Sequence, residues 1–292
     1  MSAPVIKFTK MSGGGNDFIV LDNLTAAEHE VVKIDAEFVR HVCARALSVG
    51  ADGVILVEAS PGAHARMTYF NSDGGRAALC GNGIRCVARL LALKRIAPSD
   101  GMTIETDVGT LAAAVEGDRP WFRLPLGRPE LRAVTLELEG SLDEVSRTFS
   151  GVLVDVGVPH LVIVTRDAHG MNARNFLSIA PRLRAHPDLG PQGANVDLIT
   201  ARDSHTLEIR FYERGVEAET LSSGSGCISA ALVAARAGTV ESPVRCLSRT
   251  GAANTVTLKE NHDGTTDAVL SGDARVIYTG VLNAEALAGF TP

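Results

Sequence analysis

Short alternating apolar runs separated by glycine-rich polar turns make up most of the chain, and only a few segments repeat their apolar residues at helical spacing. Val5-Ile6-Lys7-Phe8 alternates weakly and predicts a strand. Ser12-Gly13-Gly14-Gly15-Asn16-Asp17 then forces a loop before Phe18-Ile19-Val20-Leu21 resumes strand character. Residues 34–47 carry Ile34, Phe38, Val42 and Ala46 at helical spacing, and strand-like Val54-Ile55-Leu56-Val57 follows. A further strand, Arg66 to Phe70, runs into Asn71-Ser72-Asp73-Gly74-Gly75, a turn whose side chains suit ligand hydrogen bonds.

After Cys80-Gly81-Asn82-Gly83, residues 84–95 place apolar side chains three and four apart and end in basic residues, which predicts a helix stopped before Pro98. Residues 101–126, 131–139 and 151–165 alternate in short pieces, so this half reads as strands with one principal helix. The second half repeats the plan. Strand candidates at Asn195 to Ile199 and Leu207 to Tyr212 lead to Ser223-Gly224-Ser225-Gly226 and a helix over 227–238 that Gly238 can cap. The two glycine-flanked helix starts align directly, and a duplicated unit is the economical explanation.

Size agrees with two domains: 292 residues with 45% hydrophobic side chains can bury a large core. The expected division is 1–127 and 128–276, with a segment of about 277–292 free to return to the first domain and the boundary inside Pro125 to Glu130. A net charge of −6, with 34 acidic against 28 basic residues and no basic stretch interleaved with aromatics, argues against nucleic acid. The start lacks the pattern of a secretory signal and no stretch approaches 18 apolar residues, so the expectation is a cytoplasmic protein without a membrane partner. Five cysteines in a long chain do not read as a disulfide framework.

Cys80 sits where helix-start amides and the helix dipole favour a thiolate, which makes it the best nucleophile or base among the five. Its flanking glycines let main-chain N–H groups approach a carboxylate, so an amino acid could be held by its α-carboxylate while a thiolate removes the α-proton. Glu213-Arg214, in a glycine-bounded loop before the second turn, can meet the two ends of a zwitterionic group or form a surface ion pair. His160, in a Gly-Val-Pro-His turn, suits either a backbone hydrogen bond or a place beside the site. Walker A, HExxH, paired CxxC and GxSxG patterns are all missing, and Gly13-Gly14-Gly15 is not GxGxxG; no metal or other cofactor is expected.

Several motifs in order carry a family resemblance. Lys10 to Phe18 resembles a KMxGxGNDF opening, and Val49 to Gly53 resembles GxGADG. Asn71-Ser72-Asp73-Gly74 and Cys80 to Cys86 resemble NxDG and CGNGxRC, and Gly193 to Val196 and Tyr212 to Val216, through Glu219-Thr220, continue the match. Over nearly its full length the sequence resembles the diaminopimelate epimerase family. The resemblance implies an α+β fold of two similar domains, each a curved sheet around a central helix, with an active site in the cleft between them. It implies cofactor-independent chemistry in which two cysteines serve opposite faces of the α-carbon. By position Cys80 matches the first of them, while Gly81, Asn82, Gly224 and Ser225 match residues that hold the reacting carboxylate. Asn16, Asn71, Asn195, Glu213 and Arg214 match the binders of the distal group.

Three departures stand out. Ser223 occupies the place of the second cysteine, and a hydroxyl is far less acidic than a thiol. Val158 replaces the asparagine of an Asn-Pro-His turn, which alters the rim beside His160. Arg76 stands where glutamate is usual, and Ala46-Leu47-Ser48 replaces His-Phe-Gly. The expected function is epimerisation of diaminopimelate or a closely related small amino acid, with a homodimer possible. The alternatives are a one-thiol isomerase of another amino acid and a weakly catalytic amino-acid-binding paralogue.

Overall fold

Gly14 and Gly15 take φ angles of 59° and 93°, the left-handed conformations that let two residues turn a hairpin between strands with right-handed twist. The glycine run therefore makes a tight hairpin in place of the expected loop, and β1 (Ile6–Gly13) pairs with β2 (Asn16–Asp22) down to Gly13 opposite Asn16. The computed structural model describes residues 6–24, 34–139 and 147–287; Val5 and residues 288–292 lie outside the described residues.

Helix α1 (Ala36–Cys43) is shorter than residues 34–47. Asp35 caps its start, and Gly50 and Ala51 donate backbone N–H groups to the carbonyls of Val42 and Cys43, so the chain turns away while Ala46 adopts a φ of 66°. Then come β3 (Gly53–Glu58), β4 (Ala65–Asn71), β5 (Arg76–Ala77), α2 (Gly81–Leu93), β6 (Met102–Thr106), β7 (Gly109–Glu116) and β8 (Arg119–Gly127). The second half contains β9 (Leu131–Leu138), β10 (Arg147–Asp155), β11 (Pro159–Val164), α3 (Ala173–Arg184), β12 (Asn195–Asp203), β13 (Thr206–Glu213) and β14 (Ala218–Thr220). It continues with α4 (Gly224–Arg236), β15 (Val244–Leu247), β16 (Ala253–Glu260), β17 (Thr266–Ser271) and β18 (Arg275–Leu282). Helix α3 is absent from the sequence expectation. It buries Phe176, Ile179, Ala180 and Leu183 although Pro181 lies inside it.

Contacts divide the chain into a first unit, Met1–Arg123 with Ser271–Pro292, and a second, Leu124–Leu270. In the first the strand order is β18-β1-β2-β3-β4-β6-β7-β8, with β5 also on β4. In the second it is β9-β10-β11-β12-β13-β15-β16, with β14 also on β13. The plans coincide step by step. Each has an antiparallel hairpin (β1/β2, β10/β11), then a parallel neighbour reached through a helix (α1 to β3, α3 to β12). Each then adds an antiparallel strand that pairs in parallel beyond a second helix (β4 with β6 across α2, β13 with β15 across α4).

The second helix is central in both units. Helix α2 touches β1, β4, β6, β7 and β18, and α4 touches β10, β11, β12, β13, β15 and β16. Ile84, Cys86, Val87, Ala88, Leu90 and Leu91 of α2 are buried, as is every residue of α4 from Gly226 to Ala234. These two stripes are the apolar repeats legible in the sequence, and the α+β fold with two similar units follows from them.

Candidate functional site

The two central helices begin alike. Cys80 and Ser223 are the N-cap residues of α2 and α4, both with extended backbone, and both helices run for 13 residues. Each cap side chain accepts the N–H three residues on: Gly83 to Cys80 Sγ at 3.4 Å and Gly226 to Ser223 Oγ at 3.2 Å. Packing is close three residues past each cap, against the end of a flexible side chain at Gly83 and against a rigid ring at Gly226. A Cβ on Gly83 would lie 2.8 Å from Met67 Cε, and one on Gly226 would lie 2.7 Å from the Phe211 ring. The helix starts are thus pressed onto their sheets, with N–H groups there available to an anion.

Two residues after each cap, a polar side chain ties the helix to the hairpin strand of its unit. In the first unit Asn82 Nδ2 donates to Asn16 Oδ1 at 2.7 Å, and the wholly buried Arg85 donates to Asn82 Oδ1. Asn16 Nδ2 in turn donates to Asp52 Oδ2 at 3.0 Å. Asp52 also accepts the Asp17 N–H, and its carbonyl accepts the Ser72 N–H at 3.1 Å, so one residue orients both the Asn16 strand and the 71–75 turn. Asp17 is bracketed by Lys10 at 2.7 Å and Arg45 at 2.6 Å. Burial alone would raise the Asp17 pKa, but the hydrogen bonds from Arg45 and Lys10 outweigh it and hold the carboxyl at about 2.

In the second unit the corresponding side chain is Ser225, whose Oγ lies 2.9 Å from His160 Nε2. His160 Nδ1 lies 2.8 Å from Asp197 Oδ2, both side chains being buried, and Asn195 Nδ2 lies 3.2 Å from His160 Nε2. Asn195 Oδ1 accepts the Arg214 N–H at 2.7 Å, and Ser223 Oγ is 3.4 Å from Ser225 Oγ. His160, Asn195, Arg214, Ser223 and Ser225 therefore form one hydrogen-bonded group, with Asp197 behind it. The Arg214 guanidinium reaches Gln192 at 3.0 Å, and Glu213 accepts from Thr220 Oγ1 at 2.5 Å. Val158 is half-buried one residue before β11. Gly81 and Gly224 are the first residues of their helices.

Asn71 is the exception among the singled-out residues. It ends β4 and is exposed, and its turn is tied to Asn16 through Asp52. Arg76 is taken up by a two-point contact with Asp107 at 2.6 Å for each nitrogen. Sequence reasoning missed Asp52, Arg85 and Asp197. Asp52 and Arg85 left a signal, as parts of the Val49 to Gly53 and Cys80 to Cys86 motifs, whereas Asp197 left none. Among the described residues no group of three or more His, Cys, Asp or Glu is arranged to hold a metal ion, and no helix is long and apolar enough to cross a membrane.

The sequence pattern that defines the diaminopimelate epimerase family matches residues 8–131 and 152–277. The chain belongs to that family. A diaminopimelate epimerase of Archaeoglobus fulgidus is 34% identical to it over 287 residues, covering 95% of this chain and 96% of the relative. One of Aquifex aeolicus is 33% identical over 292 residues, covering 97% and 99%. Among solved structures, a hydroxyproline epimerase of Agrobacterium vitis superposes with a TM-score of 0.69 at 16% identity, covering 95% of this chain and 92% of that one. By its family the protein is an enzyme of the amino-acid epimerase class, and the structural likeness shows that the duplicated fold is shared.

Proposed function

We propose that the enzyme inverts the α-carbon of diaminopimelate or a closely related amino acid. Cys80 exchanges a proton with the α-carbon, and Ser223 stands in the position of the second proton-carrying group. The observation that carries this reading is the matched pair of helix starts, each placing a proton-bearing N-cap side chain beside glycine-flanked amides in a member of this family.

In the forward step the Cys80 thiolate takes the α-proton and the electron pair spreads into the carboxylate. N–H groups of Gly81, Asn82, Gly224 and Ser225 stabilise that developing charge, because fixed amide dipoles need no reorganisation as it forms. Asn16, Asn71 and Asn195 supply polar contacts to the distal end, with Glu213 for an ammonium group and Arg214 for a carboxylate. Val158 offers no hydrogen bond there, which favours a substrate whose distal end makes one polar contact fewer.

The test is incubation in deuterated water with diaminopimelate isomers and a panel of other amino acids, followed by mass and chiral analysis. The expected result is α-deuterium uptake and inversion with diaminopimelate, reduced roughly 10² to 10⁴-fold in Cys80→Ala. Binding without exchange would identify the chain as an amino-acid-binding paralogue, and exchange confined to a different amino acid would reassign the substrate.

A further inference from the structure

A line of four side chains in the first unit begins at a group that can only donate and ends at one that accepts. Arg85, wholly buried on α2, donates from Nη2 to Asn82 Oδ1. Asn82 Nδ2 donates to Asn16 Oδ1 at 2.7 Å, and Asn16 Nδ2 donates to Asp52 Oδ2 at 3.0 Å. A guanidinium has N–H donors and no acceptor, so the Asn82 atom that faces it is the oxygen. The Asn82 NH₂ is thereby turned to Asn16, which answers with its own oxygen. At the far end Asp52 also takes the Asp17 N–H at 3.1 Å and the Arg45 guanidinium at 2.8 Å, contacts that suit a carboxylate. Both ends therefore dictate the same direction for the two carboxamides between them.

That direction leaves an unequal remainder. Both carboxamide oxygens are engaged inside the line, whereas each NH₂ keeps a second hydrogen that no protein group takes up among the described residues. A ligand that meets Asn82 or Asn16 is thus offered donors alone, beside helix-start N–H groups that are donors as well. The β1/β2 turn lies close over the controlling contact, since a Cβ on Gly14 would be 2.6 Å from Arg85 Nη2 and 2.7 Å from Asn82 Oδ1. The second unit is built differently. Counted from the caps, Ile228 stands in the place of Arg85, and Ser225, whose hydroxyl can donate or accept, in the place of Asn82.

We infer that Arg85 is a positioning residue that makes the first unit's half of the site specific for a carboxylate, by fixing Asn82 and Asn16 so that only their N–H groups are left for the ligand. The inference rests on the function proposed above for the ligand, an amino acid with a carboxylate at each end. Arg85 works through Asn82 and not on the substrate itself. A carboxylate accepts from every donor present. A carboxamide of nearly the same shape brings its own NH₂ against N–H groups that cannot turn away, so the arrangement rejects the neutral analogue as well as attracting the acid. Without Arg85 the Asn82 carboxamide is released to turn over and offer its oxygen.

The test measures dissociation constants by calorimetry for diaminopimelate and, by its displacement, for pimelate and its uncharged diamide pimelamide, which keep the carbon chain and leave out the ammonium groups. The unmodified enzyme is set beside Arg85→Lys, Arg85→Gln and Arg85→Met, with melting temperatures to verify folding. Arg85→Lys, still a donor without an acceptor, is expected to stay within about threefold of the unmodified enzyme for every ligand. Arg85→Gln and Arg85→Met are expected to weaken pimelate at least about tenfold and to tighten pimelamide at least about threefold. The gain for the diamide is the decisive sign. Loss of a buried positive charge alone would weaken the acid and leave the uncharged amide as it was, and a collapsed site would weaken both. Pimelamide binding that is unchanged, weakened or undetectable in the folded variants would overturn the assignment, as would failure of all three variants to fold. Uptake of α-deuterium is followed in parallel. Its absence alongside Arg85-dependent binding would remove the proposed epimerisation alone, normal uptake with affinities insensitive to Arg85 would remove this inference alone, and an unmodified enzyme that does not bind diaminopimelate would remove both.

Discussion

Cys80 differs from the other four cysteines in one measurable respect: it is half-exposed, whereas Cys43, Cys86, Cys227 and Cys246 are buried. Burial pushes the Cys43 thiol up to about 12 and raises Cys86 further. Cys246 is raised first by its contact with Cys227 and then by burial. Limited treatment with iodoacetamide followed by peptide mass mapping is therefore expected to find Cys80 modified first. Prior modification of any buried cysteine would contradict the assignment. At this scale the sequence exposed the cap residues well, because Cys-Gly-Asn-Gly and Ser-Gly-Ser-Gly announce a helix start by composition. It did not expose Asp197, which lies 37 residues from His160 and meets it only through the parallel pairing of β11 with β12.

Among the elements, α2 and α4 were legible because their apolar residues recur at three and four over a full 13-residue helix. Helix α3 was not. Its buried stripe is interrupted by Pro181 and polar neighbours, and packing on β9, β12 and β13 overrides the weak local signal. The early end of α1 was equally invisible, since the residues that take its last carbonyls lie beyond it in the turn leading to β3. The hairpin of β1 and β2 carries a prediction of its own. Asp17 has a folded pKa of about 2 against about 3.9 when unfolded, so its contribution, about 2 kcal/mol, is present above pH 4 and lost as pH falls through 2. Urea unfolding should find Asp17→Asn less stable than the unmodified protein near neutral pH, with the difference shrinking toward zero near pH 2. A difference that stays constant with pH would place the stabilisation elsewhere.

For the whole molecule, the duplication could be suspected from two four-residue motifs, but the correspondence of strand order became visible only in the fold. The units repeat a plan of hydrogen bonds more closely than they repeat residues, because a sheet constrains alternation and length more than identity. They differ in the source of the strand beside the hairpin. The second unit begins with its own edge strand, β9, while the first receives the equivalent strand, β18, from the far end of the chain. Strand β18 pairs with β1 from Ile6 opposite Leu282 to Ser12 opposite Arg275, and Leu282 joins the core of Ile6, Phe8, Ile19 and Val54. A chain stopped after residue 274 is expected to lose amide-exchange protection in β1 and β2 while β11, β12 and β13 keep theirs. Retained protection in β1 would mean that β18 is dispensable.

That borrowed strand sets a timetable for the making of the protein. A ribosome delivers the chain from the N-terminus, so the stretch holding Ser223 is complete and continuous while the stretch holding Cys80, though made earlier, still waits for its last strand. Until residue 282 has emerged, β1 presents an open edge to whatever is nearby, and the half of the enzyme that was translated first is the half that finishes folding last.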